Sequence, residues 1–189
     1  MNRRTFLSLT AIAAAASAAA CTTNTGAGSD AASKRREIDA AADGTLAKLY
    51  ESANGARALA GKAEGILVFP SILTAGFVVG AEYGEGALRV GGTPVGYYRT
   101  TTASFGMLAG AQSKALILMF MTPEALQNFR QSKGWTAGVD GSIALVKVGA
   151  NGQVDTNTAR APVIGFVLTN AGLMANLSLE GTKIGKMDI

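Results

Sequence analysis

Few side chains in this 189-residue sequence could do chemistry, and the clearest candidate is its single cysteine. Cys21 closes the run Ala18-Ala19-Ala20-Cys21, which is similar to a bacterial lipobox. In a lipobox the thiol is diacylated and becomes the mature N-terminus, and each buried methylene then contributes about 0.8 kcal/mol to anchoring. We therefore expect a covalent acyl anchor at Cys21. The alternative is ordinary cleavage at a small-residue site, which leaves a free thiol.

The usual catalytic residues are sparse. The absence of histidine and the single cysteine remove most zinc sites, Ser-His-Asp triads, Cys-His dyads and any internal disulfide. We expect a protein that is not an enzyme and that uses neither a cofactor nor a metal. The catalytic alternative is a Ser-Lys site or a carboxylate pair, such as Glu82 with Glu180.

The composition favours one β-rich domain. Glycine is frequent, at 24 residues, and apolar residues make up 48% of the chain, which suits close-packed strands and tight turns. The 17 basic residues exceed the 13 acidic ones, but Arg3 and Arg4 belong to the export segment described next. The remainder is nearly neutral, which argues against a nucleic-acid partner.

Residues 1–20 have the layout of a bacterial signal peptide: a short basic start, an apolar stretch and small residues before Cys21. The apolar stretch is shorter than the roughly 20 residues that a membrane-spanning helix needs. Arg3-Arg4-Thr5-Phe6-Leu7 resembles the twin-arginine export motif, with general secretion as the alternative. Thr22, rather than Asp, follows the cysteine, so we expect a lipid-anchored protein of the cell envelope, at the outer membrane and facing the periplasm or the surface.

Residues 21–35 are predicted to be the lipidated cysteine and a flexible tether, because residues 22–33 are small and polar. The basic cluster Lys34-Arg35-Arg36 either attracts anionic lipid or is a solvated helix start. The domain is expected over residues 36–189. It begins with an amphipathic helix from Glu37, whose apolar residues recur every three to four positions until Asn54-Gly55 interrupts it.

A glycine-rich pattern recurs from Gly76 (GFVVGAEYGEG), Gly106 (GMLAGAQSKAL) and Gly172 (GLMANLSLEG). Strand alternation puts Phe77, Val79, Ala81 and Tyr83 on one face of the first copy, and Gly76, Gly80, Glu82 and Gly84 on the other. We expect the apolar face in the core and the small-residue face open to a helix, a lipid tail or water. Alternatively, the glycines permit bulges and close packing.

Further strands are predicted at residues 66–69, 95–100, 116–121, 142–148 and 163–168, with turns at 149–152 and 169–172. Pro70 is expected to stop the strand at 66–69. A helix near 123–133 is indicated by Thr122 as cap, Pro123 at the first position and Gly134 beyond its end. Trp135 is expected to fill a core edge, and strand alternation places Tyr97 and Tyr98 on opposite faces. The predicted fold class is α+β: an N-terminal amphipathic helix, a largely antiparallel glycine-rich sheet of about seven to nine short strands, and one further helix.

Several ordered segments resemble the SYLF domain family. They are AEGILVFP at 63–70, GFVVGAEYGEG at 76–86, SFG at 104–106, GAQS at 110–113 and LSLEG at 177–181. The resemblance extends over nearly all of residues 38–184. Two departures are the segment Gly92-Thr93-Pro94-Val95, where the family commonly has Trp-Ser-x-Pro, and Asn176 at a usual glycine.

The resemblance implies a non-catalytic lipid-binding module, with phosphoinositides as ligands and actin as a partner in eukaryotic members. Basic residues near the N-terminal helix are associated with membrane binding in that family, which here points to Arg57, Lys62 and Lys48. Arg99 is a further cation for a lipid phosphate. The expected export compartment argues against actin.

Two non-catalytic functions remain open. In the first, the domain binds membrane lipid through an anionic phospholipid or phosphoinositide-like head group. In the second, it is a structural or adaptor lipoprotein that binds an envelope protein through its sheet face or edge strand.

Overall fold

The computed structural model describes residues 27–76, 79–105, 112–146, 160–169, 172–173 and 179–189. Cys21, the export segment, the second glycine-rich copy at 106–111 and the turn at 149–152 lie outside these residues. The helices are α1 (Ala27–Ser52), α2 (Ala56–Ala60) and α3 (Pro123–Gln131). The strands are β1 (Gly65–Gly76), β2 (Val79–Val90), β3 (Thr93–Phe105), β4 (Gln112–Phe120), β5 (Trp135–Thr136), β6 (Ala144–Leu145), β7 (Val163–Thr169), β8 (Gly172–Leu173) and β9 (Lys183–Met187).

The strands form one curled sheet in the order β5-β9-β3-β2-β1-β4-β7-β6, and β8 pairs with β7. Neighbours in the described sheet are antiparallel except β6 and β7, which are parallel. The predicted α+β class is therefore confirmed.

The strands are not uniformly short, since β1, β2 and β3 have 12, 12 and 13 residues. The turn predicted at 149–152 would join the strands at 142–148 and 163–168 as a hairpin, but β6 and β7 are parallel, so that pairing is wrong. The strand predicted at 142–148 is only Ala144–Leu145 among its described residues.

Both faces of the sheet are packed. The inner face, which carries α3, buries a cluster that includes Leu67, Phe69, Leu118 and Phe120. The outer face, which carries α1 and α2, buries a second cluster around Val68, Ile117, Met119 and Phe166. Helices on both faces leave the central strands apolar on both sides.

Helix α3 follows its local signals. The Thr122 side chain accepts a hydrogen bond from the backbone N–H of Ala125, Pro123 occupies the first helical position, and Ser132 is the C-cap. Phe129 is buried, with its ring centroid 4.9 Å from Tyr98, 4.8 Å from Phe120 and 5.9 Å from Trp135. Trp135 is 3% exposed, so its predicted core role is confirmed.

Helix α1 begins at Ala27, well before the predicted start at Glu37, so residues 27–33 are helical rather than tether. Its first turns are held by tertiary contacts: Lys34 Nζ donates to Glu85 Oε1 at 2.7 Å, and Arg35 donates to the backbone oxygen of Ile189 at 2.8 Å. The predicted break is confirmed, since α1 ends at Ser52 and Gly55 (φ 92°) precedes α2.

Strand β1 runs through Pro70 instead of stopping there. Its register with β2 shifts between Val68 and Ser71, which is a bulge, and a bulge tolerates proline because no ladder N–H is required there. Past this bulge the assignment of faces in the first glycine-rich copy is wrong. Ala81 and Tyr83 are exposed, whereas Gly80 and Gly84 are buried.

The reason is crowding from neighbouring strands. A Cβ on Gly84 would lie 2.8 Å from Ile72 Cγ1, and one on Gly86 would lie 2.7 Å from the Phe69 ring. Large side chains of β1 therefore fill the space above the glycines of β2, and the glycines face the core. This supports the alternative in which the glycines serve close packing.

Candidate functional site

A pocket of about 430 Å³ opens where α1, α2 and the end of β2 meet, and we call it the arginine pocket. Its lining comprises Leu46, Tyr50, Arg57, Ala60, Gly61, Ala63, Gly65, Ile66, Arg89, Gly91 and Gly92. The walls are apolar side chains and glycine backbone, and the two charged residues are both arginines. A cavity of this composition suits a ligand that carries an anionic group on an apolar body.

Arg57 is placed by α2, the short helix that follows Gly55. It is exposed, and the carbon of its guanidinium lies 4.4 Å from the centroid of the Tyr50 ring. A guanidinium stacked on an aromatic ring has its planar face occupied but keeps its N–H donors available at the edge. Arg57 can therefore hold an oxyanion at the pocket entrance.

Arg89 forms the inner wall and is only 9% exposed. One of its terminal nitrogens pairs with the Asp43 carboxylate, and the other donates to the backbone oxygen of Asp39 at 2.9 Å. The hydrogen bond from Arg89 holds the pKa of Asp43 below its usual value. The third donor, Nε, is buried without a hydrogen-bond partner among the described residues.

A buried donor without a partner costs free energy unless a ligand or water satisfies it. The Arg89 guanidinium has only N–H donors, so the partner that its Nε lacks is an acceptor. Its Nε is therefore the strongest indication in the pocket of a missing acceptor. An oxygen of a phosphate or carboxylate has the required chemistry.

Asp39, whose backbone oxygen accepts from Arg89, also connects α1 to β3. Tyr97 Oη donates to Asp39 Oδ2 at 2.8 Å, while Tyr98 packs on the inner face beside Phe129, so the predicted opposition of the two tyrosines is confirmed. Burial and the hydrogen bond to Asp39 raise the pKa of Tyr97 above its usual value. Tyr97 thus stays a donor at neutral pH and ties Asp39 of α1 to β3.

The rim on the β2–β3 side is a glycine turn. Gly91 (φ 59°) and Gly92 (φ 83°) both have left-handed backbones, and a Cβ on either would meet no atom within 4 Å. Left-handed backbone favours glycine, and the absence of side chains keeps this side of the pocket open. Gly92 is the first residue of the segment that departs from the SYLF pattern.

Of the four predicted lipid-binding residues, only Arg57 lines the arginine pocket. Lys48 is exposed on α1 and lines a separate cavity of about 100 Å³ with Thr45 and Lys114. Lys62 is exposed after α2, and Arg99 is exposed on β3 opposite Glu85. The structure therefore does not gather the four cations into this pocket.

Glu82 and Glu180, the carboxylate pair of the catalytic alternative, have different surroundings. Glu82 accepts hydrogen bonds from Lys114 at 2.8 Å and from the Thr74 hydroxyl at 3.2 Å. Glu180 is exposed, and its side chain lies beside Gly138.

Within the described residues no group of three or more His, Cys, Asp or Glu side chains could hold a metal ion. No helix in the described part of the chain is both long and apolar enough to cross a membrane.

Sequence reasoning missed Arg89, the better-buried arginine of the pocket. The available signal was a charge inside the apolar run Ala87-Leu88-Arg89-Val90, just before a Gly-Gly turn. A charged residue in a strand that is otherwise buried needs a partner or a ligand. Its partners are distant in sequence, at Asp39 and Asp43, so spacing did not reveal them.

The fold and the pocket together define a small α+β domain with a curled antiparallel sheet and an amphiphilic cleft of the kind that binds ligands. Comparison with known families gives its relationship: residues 101–188 match the family model described as Ysc84, Las17-binding protein actin regulator. Residues 101–188 are therefore similar to the Ysc84, or SYLF, family, in agreement with the resemblance seen in the sequence. The matched segment begins within β3 and extends through β9. No curated protein matches the chain.

Proposed function

We propose that this protein is an exported bacterial lipoprotein, acylated at Cys21, whose domain binds the anionic head group of a lipid in the arginine pocket. The observation that carries the proposal is Arg89, which lines the arginine pocket with Arg57 and apolar residues and whose buried Nε has no hydrogen-bond partner among the described residues. The relationship to the SYLF family supports a lipid ligand. The proposal assigns no catalytic step and no cofactor to the domain.

The geometry suggests how such a lipid binds. One phosphate oxygen accepts from Arg89 Nε, and a second accepts from the Arg57 guanidinium at the entrance. The glycerol or first acyl carbons then contact Leu46, Tyr50 and Ile66. Each hydrogen bond to a charged group contributes about 1.5 to 3 kcal/mol, so loss of one arginine weakens binding roughly tenfold or more.

A short-chain phosphatidylglycerol, kept below the concentration at which it forms micelles, tests the pocket without a membrane surface. We expect saturable binding in calorimetry to a chain that starts at residue 22, which keeps all described elements. Arg57→Gln should weaken the affinity about tenfold. Arg130→Gln is the matched control, because Arg130 is exposed on α3, on the opposite face of the sheet. No binding, or an equal loss in both variants, contradicts the pocket.

The acyl anchor has a separate test. Cells that export the protein are fed an acyl-chain probe, and the wild type is compared with Cys21→Ser. We expect label in the wild type alone, with the protein in the outer-membrane fraction. Equal labelling of both proteins excludes acylation at Cys21 but leaves the pocket proposal intact.

A further inference from the structure

A second surface, separate from the arginine pocket, lies on the outer face of the sheet beside α1. Four large apolar side chains are exposed in the described part of the chain, and two of them are register partners: Leu73, 57% exposed, and Tyr83, 46% exposed. Exposed alanines continue the same face along the strands. We call this surface the outer patch, and it consists of Leu73, Ala75, Ala81, Tyr83 and Ala103.

The outer patch is continuous across three strands. Ala81 pairs with Ala75 on β1 and with Ala103 on β3, one step along from the Leu73–Tyr83 pair. Alternation along each strand puts all five side chains on the face that carries α1. Helix α1 leaves them uncovered, although it covers the same face further along. A contiguous exposed apolar surface on a sheet marks an interaction site.

Two cations lie on the β3–β9 side of the patch, while Glu37 of α1 lines the groove on its other side. Arg99 is exposed on β3, two residues from Thr101, which pairs with Tyr83. Lys183 is exposed on β9 and pairs with Thr101 in turn. The nearby acid Glu85 is already engaged by Lys34 and by the Tyr83 hydroxyl, at 2.7 Å and 2.6 Å. The surface therefore offers an apolar centre with a positive edge on the β3–β9 side, and that edge is complementary to an anionic bilayer.

Helix α1, which follows the expected anchor at Cys21, passes beside this patch at Lys34. A groove between the first turns of α1 and the β1–β2 hairpin is lined by Lys34, Leu73 and Tyr83, so the patch adjoins the start of the helix. Six residue steps separate Cys21 from Ala27, a span of about 22 Å at most. The helix adds about 10 Å between Ala27 and Lys34. An acyl chain at Cys21 therefore keeps Lys34, which lines the groove beside the patch, within about 32 Å of the bilayer.

We propose that the outer patch rests on the membrane, with Leu73 and Tyr83 in the head-group region and with Arg99 and Lys183 against anionic head groups. This inference rests on the acyl anchor of the proposed function and adds an orientation to it. The anchored domain would lie on its side, with the β1–β2 hairpin against the lipid.

The test uses the full exported chain, purified with its anchor and reconstituted into vesicles of phosphatidylglycerol and phosphatidylethanolamine. An acylated Cys21 leaves no free thiol, so Leu73→Cys and Val139→Cys each carry a single spin label. Val139 is the matched control, because it is 80% exposed and lies in the turn after β5. The measured quantity is the accessibility of each label to oxygen relative to a water-soluble nickel chelate.

We expect the oxygen-to-nickel ratio at position 73 to be several-fold higher than at position 139, and to fall when Arg99→Gln and Lys183→Gln are added. Equal, water-like ratios at both positions would overturn the orientation. A label at 73 that is shielded from both reagents only in native envelopes would overturn it in favour of a protein partner.

The acyl anchor can fail separately. If the wild-type protein takes up the thiol label, Cys21 is free and the anchor is wrong. The two reporters are then placed in a Cys21→Ser background, where the ratio at position 73 still decides whether the patch meets lipid. Binding of the short-chain lipid to the arginine pocket is unaffected by either result.

Discussion

Helices α1 and α3 pack on opposite faces of one sheet, and they are held there in different ways. Phe129 of α3 contacts Tyr98, Phe120 and Trp135, an aromatic cluster with little solvent access. Helix α1 also buries an apolar stripe, Ala42, Leu46 and Leu49, but polar contacts from Asp39, Asp43 and Lys34 accompany it. The α3 side is a core, whereas the α1 side combines packing with charges that a ligand or a membrane can use.

The largest expected effect is on the α3 side. Phe129→Ala removes the ring at the centre of the aromatic cluster and should lower the free energy of unfolding by about 4 kcal/mol. Chemical denaturation measures this, with the exposed Gln127→Ala as control. Leu49→Ala truncates a fully buried leucine of α1. If Phe129→Ala lowers the free energy of unfolding by less than Leu49→Ala does, the assignment of the stronger core to the α3 side is contradicted.

Arg89→Met is expected to have the next largest effect, because it affects both stability and binding. It removes the pair with Asp43 and the bond to the Asp39 carbonyl, which should cost about 2 kcal/mol of unfolding free energy. The cost stays below that of a fully buried pair because the Asp43 side chain is 68% exposed and returns to water.

The comparison with Arg57→Gln separates the two roles of the arginine pocket. Arg57 is exposed and contacts Tyr50, so its loss should change stability by no more than about 1 kcal/mol. Both variants should lose affinity for the short-chain lipid. If Arg57→Gln destabilises the fold as much as Arg89→Met, the division between structural and entrance arginine is wrong.

Tyr97→Phe tests the smaller link between β3 and α1. Loss of the hydrogen bond to Asp39 should reduce the unfolding free energy by about 1 kcal/mol. Tyr98→Phe is the matched control on the other face, since no described residue accepts a hydrogen bond from Tyr98. Equal losses would show that the ring, and not the bond to Asp39, supports α1.

The sequence predicts elements well where their signals are local. The cap, first-position proline and final turn of α3 lie within a dozen residues, and the structure has each of them. Helix α1 starts earlier than predicted because its first turns depend on Glu85 and on Ile189, which are remote in the chain. The bulge at Pro70 shifts the alternation of β1, and crowding by β1 side chains places the glycines of β2 toward the core, which local spacing in β2 does not reveal.

The candidate site follows the same rule. Arg57 was predicted from a resemblance that places cations near the first helix, and it lines the arginine pocket. Arg89 depends on Asp39 and Asp43, two residues on a helix that precedes it by more than forty positions. A pair of that separation becomes visible only when α1 is docked on the sheet.

The smallest expected effect concerns pH and the start of α1. Burial raises the pKa of Glu85, but hydrogen bonds from Lys34 and Tyr83 outweigh it, so the pKa lies below the usual 4.5. The hydrogen bond to Glu85 raises the pKa of Lys34 above 10.5. Glu85 therefore stabilises the fold above pH 4.5 and loses that contribution as the pH falls through its lowered pKa. Lys34 contributes below pH 10.5 and loses its contribution as the pH rises through its raised pKa.

Between those limits the pair holds the first turns of α1 on β2. Lys34 is 40% exposed, so screening limits its contribution to about 0.5 kcal/mol. Hydrogen exchange of the peptide over residues 27–38 should become faster in acid in the wild type. In Glu85→Gln it should already be fast at neutral pH, and the exposed Glu51→Gln should match the wild type. Asp43 also titrates in acid, but its pairing with Arg89 is intact in Glu85→Gln, so fast exchange of that variant at neutral pH isolates the Lys34–Glu85 pair. Slow exchange in Glu85→Gln at neutral pH would show that Arg35 and the apolar stripe hold these turns without the pair.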